Sequence, residues 1–311
     1  MIGAIPGSHI ALLYRGTRDF VSAVSDFVRE GLEADERVMV IAAEEKFALL
    51  RTELGDDADA VVFEDARSAY RPQARSTLTT LDFVNETDRR ARVVAERTDG
   101  DPTCVEIADY ERIEAAANVV YSGHPISLLC PYDAAALPES QQVSCLQTHP
   151  SILEDRTIRP NSWFMNPRTY IANSTSVPEP PPSATGLTCD SPGDLAGARS
   201  FIELHAGRAG FPGEQGADLA VAASELLTNA LIHGDPPRRL YTYVEGPALV
   251  FHVHDGGSGP PDPLAGYGPP VELGTTGRGL WMARQLCDSI DVSHDLTGTH
   301  ARLLALLPWP G

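Results

Sequence analysis

The chain has 311 residues, with 24 lysines and arginines against 43 aspartates and glutamates and a formal charge of −19 at pH 7. That length accommodates two ordinary domains, each able to bury its own core. A balance so acidic excludes partners held by bulk phosphate attraction, namely non-specific nucleic acid and anionic membrane, and favours a basic or neutral protein partner.

The N-terminus "MIGAIPGSHIALLYRG" has no basic segment followed by an apolar h-region. No later window approaches the roughly 18 uninterrupted apolar residues of a spanning helix, so the expectation is a soluble, cytoplasmic protein. The five cysteines (Cys104, Cys130, Cys145, Cys189, Cys287) are odd in number, scattered and free of any CxxC pair, which predicts buried small hydrophobes.

From the N-terminus, short apolar runs alternate with helical patterns. "HIALLY" (9–14) precedes a helical stretch from Thr17 to Leu32; "RVMVIAA" (37–43) precedes a second that opens "EEKFALL"; "DAVVF" (59–63) follows. Further along come "LDFVNETDRRARVVAER", "TCVEI", "RIEAAANVVY" and "ISLLC" (126–130). Alternation of this kind predicts an α/β domain, a mostly parallel sheet covered by helices on both faces, with ligands beyond the C-terminal ends of strands. His9, Tyr14, Cys130, Tyr132 and His149 fall near predicted strand ends or loops. Packing is the commoner role for each such residue; Cys130 with His9 or His149 would suit a metal or thiolate site, but spacing alone does not show convergence.

"NSTSVPEPPPSATG" (173–186) sets four prolines among Ser, Thr and Gly with almost nothing to bury, the composition of an extended, solvated linker. The reading is therefore a first domain over 1–172, a linker over 173–189 and a second domain over 190–311. Beyond the linker, helices around Leu195–Ala209 and Glu214–His233 precede two strand-like runs, "RLYTYVEG" and "ALVFHVHD", joined by a Gly-Pro turn. A Gly/Pro-rich loop, a helix "GLWMARQLC", a strand "SIDVSH", a turn at "LTGT" and a strand "HARLLALL" complete the chain. Helices first and hairpins later predict an α+β sandwich, helices packed on one face of a mixed, mostly antiparallel sheet.

Three stretches in this half carry chemistry. In "SELLTNALIHG" (224–234), Glu225, Asn229 and His233 recur every four residues and share one helix face, which by itself fits a polar stripe as well as a reactive one. "HDGGSG" follows a strand and places Asp255, Gly257 and Gly259 as D-x-G-x-G. Such a loop is either an ordinary glycine turn or a carboxylate poised for an exocyclic amine, beside glycines that admit a flat ring. "GTTGRGL" (274–280) opens a helix, whose free N–H groups suit phosphate oxygens.

In that order the stretches resemble the N, G1 and G2 boxes of the Bergerat-type ATP-binding fold shared by gyrase, heat-shock chaperone, histidine-kinase and mismatch-repair families, and "TGT" (297–299) is similar to its final Gly-Thr motif. The resemblance spans roughly 190–308. It implies ATP and Mg²⁺ as cofactors: Asn229 as the metal ligand, Asp255 on the adenine amine, Gly257 and Gly259 lining the base pocket. It further implies the amides of Gly277, Arg278, Gly279 and Leu280 on phosphate, Thr299 supporting the Asp–adenine contact, His233 shaping the helix end near the nucleotide, and Glu225 as the catalytic base. Such chemistry needs positioning and charge neutralisation, and no lysine-bearing P-loop is present.

A histidine kinase would carry a phospho-accepting His in a long helix, whereas "SGHPIS" and "QTHPSI" sit beside prolines. "ASELLTNALIHG", "GRGLWMARQLCD" and a short lid from Pro260 to Thr276 resemble instead the anti-sigma-factor serine/threonine kinases. That likeness implies a sigma factor or a small anti-sigma-factor antagonist as partner, with no direct nucleic-acid or membrane contact and with a homodimer admitted. The first domain resembles the MEDS-type sensory domain, a RecA/KaiC-like relative, through "HIALLY", "EGLEADERVMVIA" (30–42), "LLCPYD" (128–133) and "THP" (148–150), over about 8–170. "YRGTRDF" supplies no GxxxxGK[ST], so a sensor of a small molecule or partner is expected there and not a second ATPase. Two alternatives stay open for the whole: a nucleotide-dependent module that sequesters its partner and transfers nothing, and a sensor histidine kinase.

Overall fold

Phe20, Val24, Phe27 and Val28 recur at helical spacing, and this stripe buries fully against strands made of Val, Ile and Leu runs. A computed structural model describes residues 7–96, 103–260, 262–270 and 277–308. The chain forms two compact units, Met1–Asp101 with Tyr110–Tyr170, and Pro102–Asp109 with Ile171–Gly311.

The first unit contains β1 (His9–Tyr14), α1 (Thr17–Glu33), β2 (Arg37–Ala42), α2 (Glu44–Leu54), β3 (Val61–Asp65), α3 (Ala66–Ala69), α4 (Arg75–Asn85), β4 (Ala91–Ala95), α5 (Cys104–Val120) from Tyr110 onward, β5 (Ile126–Asp133), α6 (Glu139–Thr148), β6 (Ser151–Glu154) and β7 (Thr157–Pro160). The sheet order is β3-β2-β4-β5-β1-β6-β7. Among the described residues every pairing is parallel except the β6–β7 hairpin, in keeping with the predicted mostly parallel sheet. Alternate strand residues feed two cores: Ile10, Leu12, Val38, Val40 and Leu129 meet α1 on one face, while Ala11, Met39, Ile41, Val93 and Cys130 face the other.

After α7 (Pro167–Ser174), the second unit continues with β8 (Thr185–Thr188), α8 (Leu195–Arg208), α9 (Gly213–His233), β9 (Arg239–Glu245), β10 (Ala248–Asp255), α10 (Arg278–Arg284), β11 (Ser289–Asp295) and β12 (Gly298–Leu306). Ala198, Ile202 and Ala206 of α8 and Leu219, Ala223, Leu226, Leu227 and Ala230 of α9 pack on Leu240, Leu249, Phe251, Val253 and Leu303, so the helices lie on one sheet face. The small alanines let α8 and α9 approach closely and still close the core.

Two expectations are corrected. The sheet, ordered β11-β12-β10-β9-β8, is antiparallel at every pairing among the described residues and not mixed. Tight turns join β9 to β10 and β11 to β12, and the α10 crossover returns the chain so that β12 runs against β10. Secondly, Thr185–Thr188, inside the segment read as linker, pairs with β9 as an edge strand. An edge position needs backbone hydrogen bonds on one side and little side-chain burial, so composition conceals it.

Candidate functional site

The buried stripe of α9 leaves Glu225 and Asn229 half-buried at its margin, one turn apart, and His233 exposed at its last residue. Gly279 lies in the first turn of α10, and a Cβ there would collide with the Glu225 carboxylate. The carboxylate of one box thus rests on the backbone of another.

Asp255 ends β10 and is 6% exposed. Its Oδ1 accepts a hydrogen bond from the Gly257 N–H at 2.7 Å. Strand register sets Thr299 opposite Asp255. The Thr299 hydroxyl donates to the Gly257 carbonyl at 3.0 Å and accepts from the Gly259 N–H at 2.8 Å, which ties the glycine loop to β12. Gly259 has φ +76°, a left-handed conformation that other residues adopt only at a cost. Burial raises the Asp255 pKa, and the Gly257 N–H, His254, Arg238 and Thr299 offset part of that rise.

Gly277 is the N-cap of α10 at φ +106°, and Arg278 beside it is exposed. Leu280 abuts Gly266, where a Cβ would come within 2.7 Å of the leucine Cβ. Residues 274–276 of "GTTGRGL", and Pro261 and 271–276 of the expected lid, lie outside the described residues.

Of the predicted residues, hydrogen bonds link Asp255, Gly257, Gly259 and Thr299, packing joins Glu225 to Gly279, and Asn229 shares the α9 face with Glu225. His233 stands at the exposed helix end. Sequence reading missed Gly234 and Arg238. A Cβ on Gly234 would collide with the Asp255 carboxyl, so glycine there lets the end of α9 approach β10. Arg238 donates from Nε to the Ala230 carbonyl at 2.7 Å and from Nη2 to the Gly234 carbonyl at 2.6 Å, capping the helix. A glycine just past a helix is a readable stop signal; the arginine had none. The donor set fits a nucleotide: a buried acceptor carboxylate ringed by glycines suits an exocyclic amine, and an amide and a carboxylate one helical turn apart suit a hard divalent cation and an attacking hydroxyl.

In the first unit, Tyr14 at the end of β1 donates to Glu96 Oε1 at 2.6 Å and accepts from Lys46 Nζ at 2.8 Å, and Lys46 also pairs with Glu96. Burial pushes the Glu96 pKa up, against the pull of Lys46. His9, Cys130 and His149 converge, and they do so around Glu114 of α5, which sequence reading did not single out. The His149 ring meets Tyr132 edge-on, with centroids 5.6 Å apart.

A parallel α/β unit followed by an antiparallel sheet bearing this carboxylate–glycine site defines a two-domain protein, one domain of it nucleotide-binding in form. Residues 8–150 match MEDS, the MEthanogen/methylotroph, DcmR Sensory domain, and residues 190–304 match the Histidine kinase-like ATPase domain. The chain therefore carries a MEDS domain at its N-terminus and a histidine kinase-like ATPase domain at its C-terminus. No curated protein matched it. Among solved structures it is similar to the RsbU and RsbW domains of Rv1364c from Mycobacterium tuberculosis, at 22% identity over 42% of this chain and 34% of that one, with a TM-score of 0.31. Among the described residues, no helix is long and apolar enough to cross a membrane.

Proposed function

We propose that the chain is a cytoplasmic signalling regulator whose C-terminal domain is an ATP- and Mg²⁺-dependent serine/threonine protein kinase of the anti-sigma-factor type, gated by the MEDS domain. The observation that carries this reading is the joining of the boxes: Asp255, Gly257, Gly259 and Thr299 in one hydrogen-bonded loop, and Glu225 against Gly279. ATP would supply the phosphoryl group, and Asn229 would hold the Mg²⁺ whose charge offsets that of the phosphates. Asp255 accepts from the base amine and sets the register of the nucleotide. Gly257 and Gly259 leave room for the ring, and backbone N–H groups from Gly277 to Leu280 orient phosphate oxygens. Glu225 takes the proton of the partner's Ser or Thr hydroxyl as that oxygen bonds to phosphorus and ADP leaves, a general-base role.

The serine/threonine assignment and the partner, a sigma factor or its antagonist, rest on the likeness of "ASELLTNALIHG" and "GRGLWMARQLCD" to that kinase class. For the MEDS domain, the parallel sheet is compatible with a RecA/KaiC-like origin and a small-molecule signal.

The test incubates the full chain with labelled ATP and the candidate antagonist. Transfer to Ser or Thr is the expected result. Glu225→Ala should retain nucleotide binding and lose transfer by about 10²–10⁴-fold; retained transfer removes Glu225 as the base. Partner capture that depends on ATP without any transfer indicates a sequestering module, and acid-labile phosphohistidine on the chain indicates a histidine kinase.

A further inference from the structure

The nucleotide reading makes no use of the most deeply buried ionisable cluster of the first unit. His9 at the start of β1, Glu114 on α5, Cys130 on β5 and His149 after α6 are 5%, 6%, 0% and 0% exposed. One ligand atom from each lies within 4.8 Å of all the others. His9 Nε2 is 3.2 Å and His149 Nε2 3.1 Å from the same oxygen, Glu114 Oε2, and Cys130 Sγ is 3.4 Å from His9 Nε2.

Surrounding hydrogen bonds determine what these atoms present to one another. His149 Nδ1 faces the Cys145 carbonyl at 2.8 Å, so it carries the proton and donates. Asn118 Nδ2 donates to the Thr148, Ala115 and Glu114 carbonyls, which leaves its Oδ1 to accept from His9 Nδ1 at 3.1 Å. With Nδ1 of each ring so committed, both Nε2 atoms are left to face one carboxylate oxygen. The fully buried His149 Nε2 has no hydrogen-bond partner, because its approach to Glu114 lacks hydrogen-bond geometry. Two ring nitrogens, a carboxylate oxygen and a sulfur thus converge in a space closed to water; the Cys130 S–H, 3.4 Å from His9 Nε2, can satisfy that one acceptor, whereas a cation held between the four would satisfy them all.

We infer that His9, Glu114, Cys130 and His149 form a mononuclear metal site for a divalent ion of borderline softness, zinc in the first instance. Two imidazoles, one thiolate and one carboxylate make a mixed N, S and O donor set that suits zinc over calcium or magnesium, which take oxygen. Zinc bond lengths put the donors of a tetrahedron about 3.2–3.7 Å apart, close to the three contacts of 3.1, 3.2 and 3.4 Å. The Cys145 carbonyl and Asn118 are the outer partners that orient both histidines, as metal-bound imidazoles require. Four protein ligands and complete burial describe a closed site, suited to a structural or sensing ion. On binding, the Cys130 Sγ–H proton leaves to solvent and sulfur bonds to the metal as thiolate.

The experiment uses the full chain. Purified protein should retain about one zinc per chain by elemental mass spectrometry. Chelator-stripped protein loaded with Co²⁺ should show the visible bands of a tetrahedral ion and a thiolate-to-cobalt charge-transfer band. Cys130→Ser should lose the charge-transfer band, and Asn118→Ala should weaken Co²⁺ binding roughly 10–100-fold through the His9 ring it orients. Circular dichroism of each variant reports folding, and the wild-type cobalt spectrum serves where a variant does not fold. A wild-type cobalt spectrum without tetrahedral and thiolate bands overturns the assignment, as does a metal content or spectrum indifferent to Cys130→Ser.

Discussion

Asp255 is held by geometry more than by charge. One oxygen is committed to the Gly257 N–H, the strand register sets Thr299 opposite, and burial disfavours the ionised form, so its pKa lies above the 3.8 of an ordinary aspartate. Between 3.8 and that raised value the folded state binds more protons than the unfolded one. The Asp255 contribution to stability is thus present below 3.8 and lost as pH rises through the folded pKa. Nucleotide binding has the opposite sign: accepting from an amine needs the carboxylate, so ATP affinity should fall on acidification before ordinary aspartates titrate. Asp255→Asn should weaken ATP binding about 10–100-fold, the loss of one charge-assisted hydrogen bond, and flatten that acid-side fall. Fluorescence titration with a nucleotide analogue across pH measures both.

At the scale of elements, the site is a junction of strand ends with a helix end. β10 delivers Asp255, β12 delivers Thr299, and the turn before β12 lets them meet. Gly298 opens β12 at φ +134°, and a Cβ there would overlap the Asp255 carbonyl. Gly298→Ala combines backbone strain with a clash against main chain and should cost about 2–3 kcal/mol. The urea midpoint should fall with an unchanged slope, and ATP affinity should fall with it, since the turn also places Thr299.

At the scale of the whole molecule, each unit has its own core, and the residues proposed to hold nucleotide all belong to the C-terminal one. A ligand that binds only the folded form stabilises by about 2.7 kcal/mol at a hundred times its Kd. Hydrogen exchange should therefore show α9 and β10 amides that open by unfolding of that unit gaining up to this protection with saturating ATP. An unchanged exchange profile would count against nucleotide binding there. The formal charge of −19 argues that encounter with a basic protein partner slows as salt is raised.

The amino-acid order alone determined whatever depends on neighbours along the chain. The four-residue spacing of Glu225 and Asn229, the Asp255 glycine loop and the alternating runs of the first domain are local patterns, legible because a helix turn and a strand end impose them over a few residues. The tertiary structure alone decided which distant groups share a space. Glu114 and Asn118 look like ordinary polar positions of α5 until the sheet brings His9, Cys130 and His149 to them, and Arg238 reads as surface charge until it caps α9. The edge pairing of Thr185–Thr188 and the wholly antiparallel second sheet were hidden for a related reason. Backbone hydrogen bonds between strands are made by every residue type, so composition carries little record of which strands they join or in which direction.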